Sequence, residues 1–139
     1  MKTAVDSSVL LDVLAGDRAF GARSREALRA AYDGGTIVAC DIVWAEVRAH
    51  YPDDAAFGRA LDALGVVFEP LTADAAGLAG ALWRDQRRAA QAGRERIVAD
   101  FLIGAHATLQ ADVLLTRDRG FYRRYFKVRI IDPADRTSA

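Results

Sequence analysis

Five short runs rich in Val, Ile, Leu and Phe, at Lys2–Val5, Thr36–Ala39, Val66–Phe68, Asp112–Leu115 and Arg129–Ile131, alternate with longer segments of helical pattern. Alternation of this kind is the mark of a parallel sheet covered by helices, because neighbouring parallel strands need a long crossover between them. The fold class that follows is α/β: an α/β/α sandwich around a central, mainly parallel sheet of about five strands. Helices are expected at Ser8–Leu14, Arg18–Tyr32, Ile42–His50, Asp54–Leu64, Ala73–Ala90 and Val98–Gln110. Gly34-Gly35 and Gly65 follow the second and fourth of these as stop signals, and Thr72 precedes the fifth as an N-cap. In the last, Val98, Phe101, Leu102, Ala105 and Leu109 recur at three- and four-residue spacing and form the expected core stripe.

At 139 residues the chain suits a single domain spanning 1–139. Its 52% hydrophobic and 27% charged residues exclude disorder and fibrous classes. The longest stretch without an ionised side chain, Phe101–Ala111, has eleven residues, against the roughly 18 a membrane-spanning helix needs. Asp6 interrupts the region where a secretory signal would be apolar, and the single Cys40 has no internal partner, so a cytoplasmic protein is expected. Nineteen basic and nineteen acidic side chains cancel. They are unevenly spread: residues 1–83 hold seven bases and twelve acids, residues 84–139 twelve and seven.

The acids fall where chemistry is expected. In open parallel sheets, ligands bind beyond the carboxyl ends of the strands. Asp6 ends the first strand, and Leu114-Leu115-Thr116-Arg117-Asp118 delivers Asp118 to the same edge. Glu46 lies one turn into the helix after the second strand, and Asp100 lies in the first turn of the helix before the fourth. If these four converge, each pair at about 5 Å repels by roughly 3 kcal/mol at an effective dielectric of 20. Either some of them stay protonated or a divalent cation neutralises them. Hard oxygen donors without His or Cys favour Mg²⁺ or Mn²⁺ over Zn²⁺. Ions of this kind hold a phosphodiester and activate a water for its hydrolysis.

The sequence resembles the PIN-domain ribonucleases, and among them the VapC-type toxins of bacterial toxin–antitoxin pairs. The resemblance is carried by Val5-Asp6-Ser7-Ser8-Val9-Leu10-Leu11-Asp12-Val13-Leu14, by Asp41-Ile42-Val43-Trp44-Ala45-Glu46-Val47, by Ile97-Val98-Ala99-Asp100-Phe101-Leu102-Ile103-Gly104-Ala105-His106-Ala107 and by Leu114-Leu115-Thr116-Arg117-Asp118-Arg119-Gly120-Phe121. It implies a metal-dependent endoribonuclease that uses Mg²⁺ or Mn²⁺ on an RNA substrate, is usually a homodimer, and is silenced by a cognate antitoxin protein. Asp6, Glu46, Asp100 and Asp118 match the four family acids, and Thr116 matches the hydroxyl residue that often precedes the last of them. In that setting Asp6 and Asp100 would bind metal directly, Glu46 and Asp118 directly or through water, and Thr116 would orient a water or Asp118. Ser8 and Gly104 are small departures, outside the chemistry.

Blander roles compete for the same residues. Asp6, Asp100 and Asp118 suit helix caps, while Asp41, Asp12 and Asp112 read as a cap, a solvated face residue and the start of a strand. Glu46 and His50 stand four apart, a pair that falls short of a zinc site. His106 and Cys40 read as packed residues, and Trp44 and Trp83 as core or protein interface. Arg84, Arg87, Arg88, Arg94, Arg96, Arg117, Arg119, Arg123, Arg124 and Lys127 form a solvated face or a phosphate-binding one. Among them Arg117 and Arg119, which bracket Asp118, are the candidate RNA contacts, and Phe121-Tyr122-Arg123-Arg124-Tyr125-Phe126 mixes bases with rings suited to unstacked nucleotides. The alternative function is a non-catalytic PIN-like module that binds RNA or protein. A phosphoacceptor receiver domain is disfavoured, because the strand ending Phe68-Glu69-Pro70 lacks the required Asp.

Overall fold

The structure, a computed structural model, describes residues 1–89 and 97–135. In chain order the elements are β1 (Lys2–Val5), α1 (Ser7–Leu14), α2 (Gly21–Gly34), β2 (Thr36–Ala39), α3 (Asp41–Arg48), α4 (Asp54–Leu64), β3 (Val66–Phe68), α5 (Ala73–Ala89), α6 (Val98–Gln110), β4 (Val113–Leu115), α7 (Arg119–Tyr125) and β5 (Arg129–Ile131). The five strands form one sheet in the order β3-β2-β1-β4-β5, every pair parallel. This is the expected α/β/α class. Among the described residues no helix is long and apolar enough to cross a membrane.

Strand order fixes where a site can form. The chain moves from β1 outward to β3, returns across the sheet through α5 and α6, and continues outward on the other side through β4 and β5. The reversal lies between β1 and β4, which pair as Val5↔Leu115. Beyond the carboxyl ends of two such strands a crevice opens, since their following connections leave in opposite directions. Asp6 follows β1 and Thr116 follows β4, so both stand at this crevice. The Asp6 N–H donates to the Leu115 carbonyl at 2.9 Å and the Thr116 N–H to that of Ile131 at 3.0 Å, extending the ladder past the last strand residues.

The central strands read as continuous apolar runs because both of their faces are covered. Ala4, Val5, Ile37, Val38, Ala39, Val113, Leu114 and Leu115 are all buried, whereas the edge strand β3 leaves Val67 and Phe68 exposed. Helix α6 packs against α5 and the sheet and buries Phe101, Ile103, Gly104, Ala105, His106 and Ala107. A helix enclosed this way loses the single stripe expected of it, and Leu109 is exposed instead of packed. Gly104 is required by this packing: a Cβ there would run into the Phe126 ring.

Several local readings are corrected by side-chain bonds. Helix α2 starts at Gly21, later than Arg18, because Asp17 Oδ1 accepts the N–H groups of Ala19 and Phe20 and holds a turn there. Asp112 lies outside β4, and its carboxylate accepts the Lys2 N–H at 2.7 Å. Cys40 occupies the N-cap position of α3, while Asp41 Oδ1 accepts from the Leu71 N–H at 3.1 Å, so Asp41 ties α3 to the segment after β3. Helix α3 ends at Arg48, which removes the helical spacing between Glu46 and His50. Asp12 is 4% exposed, not solvated. The aromatic and basic run 121–126 forms most of α7, with Phe121, Tyr122 and Phe126 buried, so these rings are core rather than a platform for bases. Trp44 meets Phe57 and Phe68 edge-on at 5.1 and 5.2 Å, as a packed residue should. Thr72 Oγ1 accepts from the Ala75 N–H as the expected cap, and Gly65 closes α4 with a left-handed φ of 69°.

Candidate active site

Asp6 stands at the N-cap position of α1, yet its side chain makes no capping hydrogen bond. Its carboxylate is turned to other work. Thr116 Oγ1 donates to Asp6 Oδ2 at 2.7 Å, and the same hydroxyl oxygen accepts the Asp118 N–H at 3.0 Å. Ser7 Oγ lies 3.4 Å from Asp6 Oδ1 and 3.2 Å from Glu46 Oε1, so one hydroxyl proton is shared between two acids on different elements. Asp118 caps α7 through Oδ1 to the Phe121 N–H at 3.4 Å. The structure thus joins Asp6, Thr116 and Asp118 directly, and links Glu46 to them through Ser7.

Electrostatics brings in the fourth acid. Asp6 is buried, Asp100 and Asp118 are half-buried and Glu46 is exposed. Burial pushes the Asp6 carboxyl above its ordinary pKa, with the charge of Asp118 adding to the effect and the hydrogen bonds from Thr116 and Ser7 opposing it. Glu46 is also raised, first by desolvation and then by Asp6 and Asp100. The Tyr122 phenol, buried beneath the site, is held far above its usual range by burial and by the charges of Asp6, Asp100, Asp118 and Glu46 together. All four acids therefore act on one buried hydroxyl, while Asp118 also acts on Asp6, and Asp6 and Asp100 act on Glu46.

The two arginines expected to touch RNA each meet carboxylates of the chain. Arg117 donates from Nε and Nη2 to the two oxygens of Asp12 at 2.7 and 3.0 Å, and its guanidinium lies 4.2 Å from the centre of the Phe20 ring. Arg119 stands 3.7 Å from both Asp132 and Asp135. Arg94 and Arg96 lie outside the described residues. Ser7 has no role of its own in the sequence pattern, and Tyr122 stands there only as one ring of the aromatic and basic run 121–126. As parts of the site, Ser7 is marked only by adjacency to Asp6, and Tyr122 only by standing one turn after Asp118.

Among the described residues, no three His, Cys, Asp or Glu side chains lie close enough together to form a ready-made metal cage. The donor set still fits a hard divalent ion. Mg²⁺ keeps several of its waters and is usually bound through one or two carboxylates instead of an all-protein shell. Burial first, and like-charged neighbours second, work against the charged forms of Asp6 and Glu46, a cost that a bound cation would offset.

No curated protein sequence matches this chain. Solved structures do. It is similar to VapBC2 from Rickettsia felis bound to a DNA fragment from their promoter, with TM-score 0.72 and 16% identity over 95% of this chain and 98% of that one. A toxin–antitoxin complex from Klebsiella pneumoniae matches with TM-score 0.70 and 21% identity over 96% and 98%. The sarcin-ricin loop cleaving toxin VapC20 of Mycobacterium tuberculosis matches with TM-score 0.56 and 20% identity over 91% and 98%. The family model of the PIN domain matches residues 3–127. With its strand order, its acids at the β1–β4 crevice and this match over most of its length, the chain belongs to the PIN domain family.

Proposed function

We propose that this protein is a metal-dependent endoribonuclease that acts as the toxin of a toxin–antitoxin pair and is held silent by a cognate antitoxin. The observation that carries the reading is the joining of Asp6 to Thr116 and Asp118 at the sheet's switch point, with Glu46 and Asp100 within the same electrostatic field. Solved toxin–antitoxin complexes of this fold, and a toxin described as cleaving the sarcin-ricin loop, support the class of substrate and the kind of partner. A homodimer is part of the same proposal.

Asp6 and Asp100, with Glu46 and Asp118, would hold Mg²⁺ or Mn²⁺, which supplies charge neutralisation at the phosphodiester and a water acidic enough to attack it. The chain's own part is positioning. Thr116 fixes the carboxylate plane of Asp6 and, through the Asp118 N–H, the loop that carries Asp118. Ser7 keeps Glu46 beside Asp6. Tyr122 and the buried strand ends shield Asp6 from bulk water, so that its charge is screened little.

The test is Asp6→Asn. Purified wild type with Mn²⁺ should cut RNA and should arrest growth when expressed, and the variant should do neither while keeping its fold by circular dichroism. Wild type that leaves every RNA tested intact but still binds RNA would favour a non-catalytic module instead.

A further inference from the structure

Arg117 lies between two residues that touch the acidic site, but its own side chain is committed to α1. Nε and Nη2 form a fork on Asp12, at 2.7 and 3.0 Å. Ser24 Oγ of α2 donates to Asp12 Oδ2 at 2.9 Å, so the buried carboxylate is satisfied by three donors from two directions. The Asp17 N–H donates to the Asp12 carbonyl at 2.9 Å, and Asp17 Oδ1 shapes the turn that presents Phe20 beneath the Arg117 guanidinium.

A planar guanidinium held by two parallel bonds and one stacked ring has little freedom, unlike a lysine at the same place. If it swung out to a phosphate, Asp12 at 4% exposure would be left as an uncompensated buried charge, a costly state. Holding Arg117 also holds its neighbours. Thr116 Oγ1 spans Asp6 and the Asp118 N–H, so a shift of this three-residue segment changes the placement of two of the four acids at once.

We propose that Arg117 is a positioning residue: its clamp on Asp12 and Phe20 sets the Thr116–Asp118 segment against Asp6 and so shapes the cation site, in place of a contact to RNA. The inference rests on the reading of the acids as a Mg²⁺ or Mn²⁺ site, and it assigns a role to Asp12 and Phe20 as well. Partners of metal ligands, when removed, typically cost about 10- to 100-fold in metal affinity.

The experiment is calorimetric titration of Mn²⁺ into wild type, Arg117→Met, Asp12→Asn and the double variant, each with its thermal unfolding and its affinity for a single-stranded RNA oligonucleotide. Each single variant should weaken Mn²⁺ binding by about tenfold or more. The double variant, which removes the buried pair as a unit, should be no worse than either single one, and Arg117→Lys should recover only part of the loss. Unchanged Mn²⁺ affinity with weakened RNA binding would make Arg117 an RNA contact and overturn the proposal. Lowered thermal stability alone would overturn it too. If wild type itself takes up no Mn²⁺, the cation-site reading is what fails. Positioning is then decided by hydrogen exchange of the Asp118 amide, which the proposal expects to be slow in wild type and about tenfold faster in Arg117→Met, with equal rates counting against it.

Discussion

Thr116 Oγ1 donates a 2.7 Å hydrogen bond to Asp6 Oδ2, joining residues 110 positions apart across the neighbouring ends of β1 and β4. The bond is buried, and burial works against the charged form of its acceptor while the hydrogen bond favours it. Thr116→Val keeps the shape and deletes the donor, leaving Asp6 and the Asp118 N–H each short of a partner. It should cost about 1–3 kcal/mol in urea unfolding. Thr116→Ser should restore most of that stability, and a valine variant as stable as wild type would show that the bond contributes nothing.

Asp6 itself strains the cation-free protein. Its folded pKa lies above the ordinary 3.8, so the folded state holds the proton more tightly than the unfolded chain. Stability from this group is therefore lost as pH rises from 3.8 through the folded pKa. At neutral pH and without divalent ions, Asp6→Asn should raise the melting temperature by a few degrees while abolishing RNA cleavage. A lowered melting temperature would mean that the charge is stabilising.

His106 gives stability the opposite dependence on pH. Burial holds this imidazole below its ordinary 6.5, against the pull of Glu69, so it is neutral near pH 7. Glu69, as a carboxylate, can only accept, so Nε2–H donates to its Oε1 at 2.9 Å. Burial alone would raise Glu69, but bonds and charge from Lys2 and His106 outweigh it and hold the carboxyl below 4.5. The unfolded chain binds the histidine proton near 6.5, before the folded one does. Stability is then full above 6.5 and falls below it, by at most about 1.4 kcal/mol per pH unit for one proton. Urea unfolding from pH 7.5 to 5.5 should show this slope in wild type and a flatter one in His106→Asn; parallel slopes would remove His106 as the source.

Gly104 faces the Phe126 ring with no room for a methyl group. Alanine is worth roughly 1 kcal/mol more than glycine inside a helix, so propensity alone would make Gly104→Ala stabilising. The clash should win, giving a net loss of about 1–3 kcal/mol. In a double-variant cycle, Phe126→Leu should relieve most of that loss, and simple additivity would contradict the contact.

The sheet was legible because its strands are short apolar runs between helices with clear stop residues, and Gly65 and Thr72 do what their chemistry suggests. The electrostatic link among Asp6, Glu46, Asp100 and Asp118 follows from their positions at strand ends and helix starts, which the sequence pattern places at one edge of the sheet. What stayed hidden depends on tertiary contacts. Asp12 looks like any polar helix residue until Arg117 and Ser24 close on it. Arg117 and Arg119 bracket an acid in sequence, yet neighbouring residues leave a loop in different directions, and theirs lead to Asp12 and to Asp132 and Asp135. Helix α7 was masked by a run of aromatics and bases whose period covers fewer than two turns. Tyr122 reads in the sequence as one ring of a nucleotide-binding run, and only its burial places it beneath the acids.

On the proposed function, carboxylates from four separate segments act as one divalent-cation site. Calorimetric titration of Mn²⁺ into the wild-type protein and into Asp6→Asn, Glu46→Gln, Asp100→Asn and Asp118→Asn tests it most directly. Saturable binding by wild type, abolished by Asp6→Asn and weakened by each of the other three, is the expected result. No uptake by the wild type, or uptake that the four substitutions leave unchanged, would contradict it.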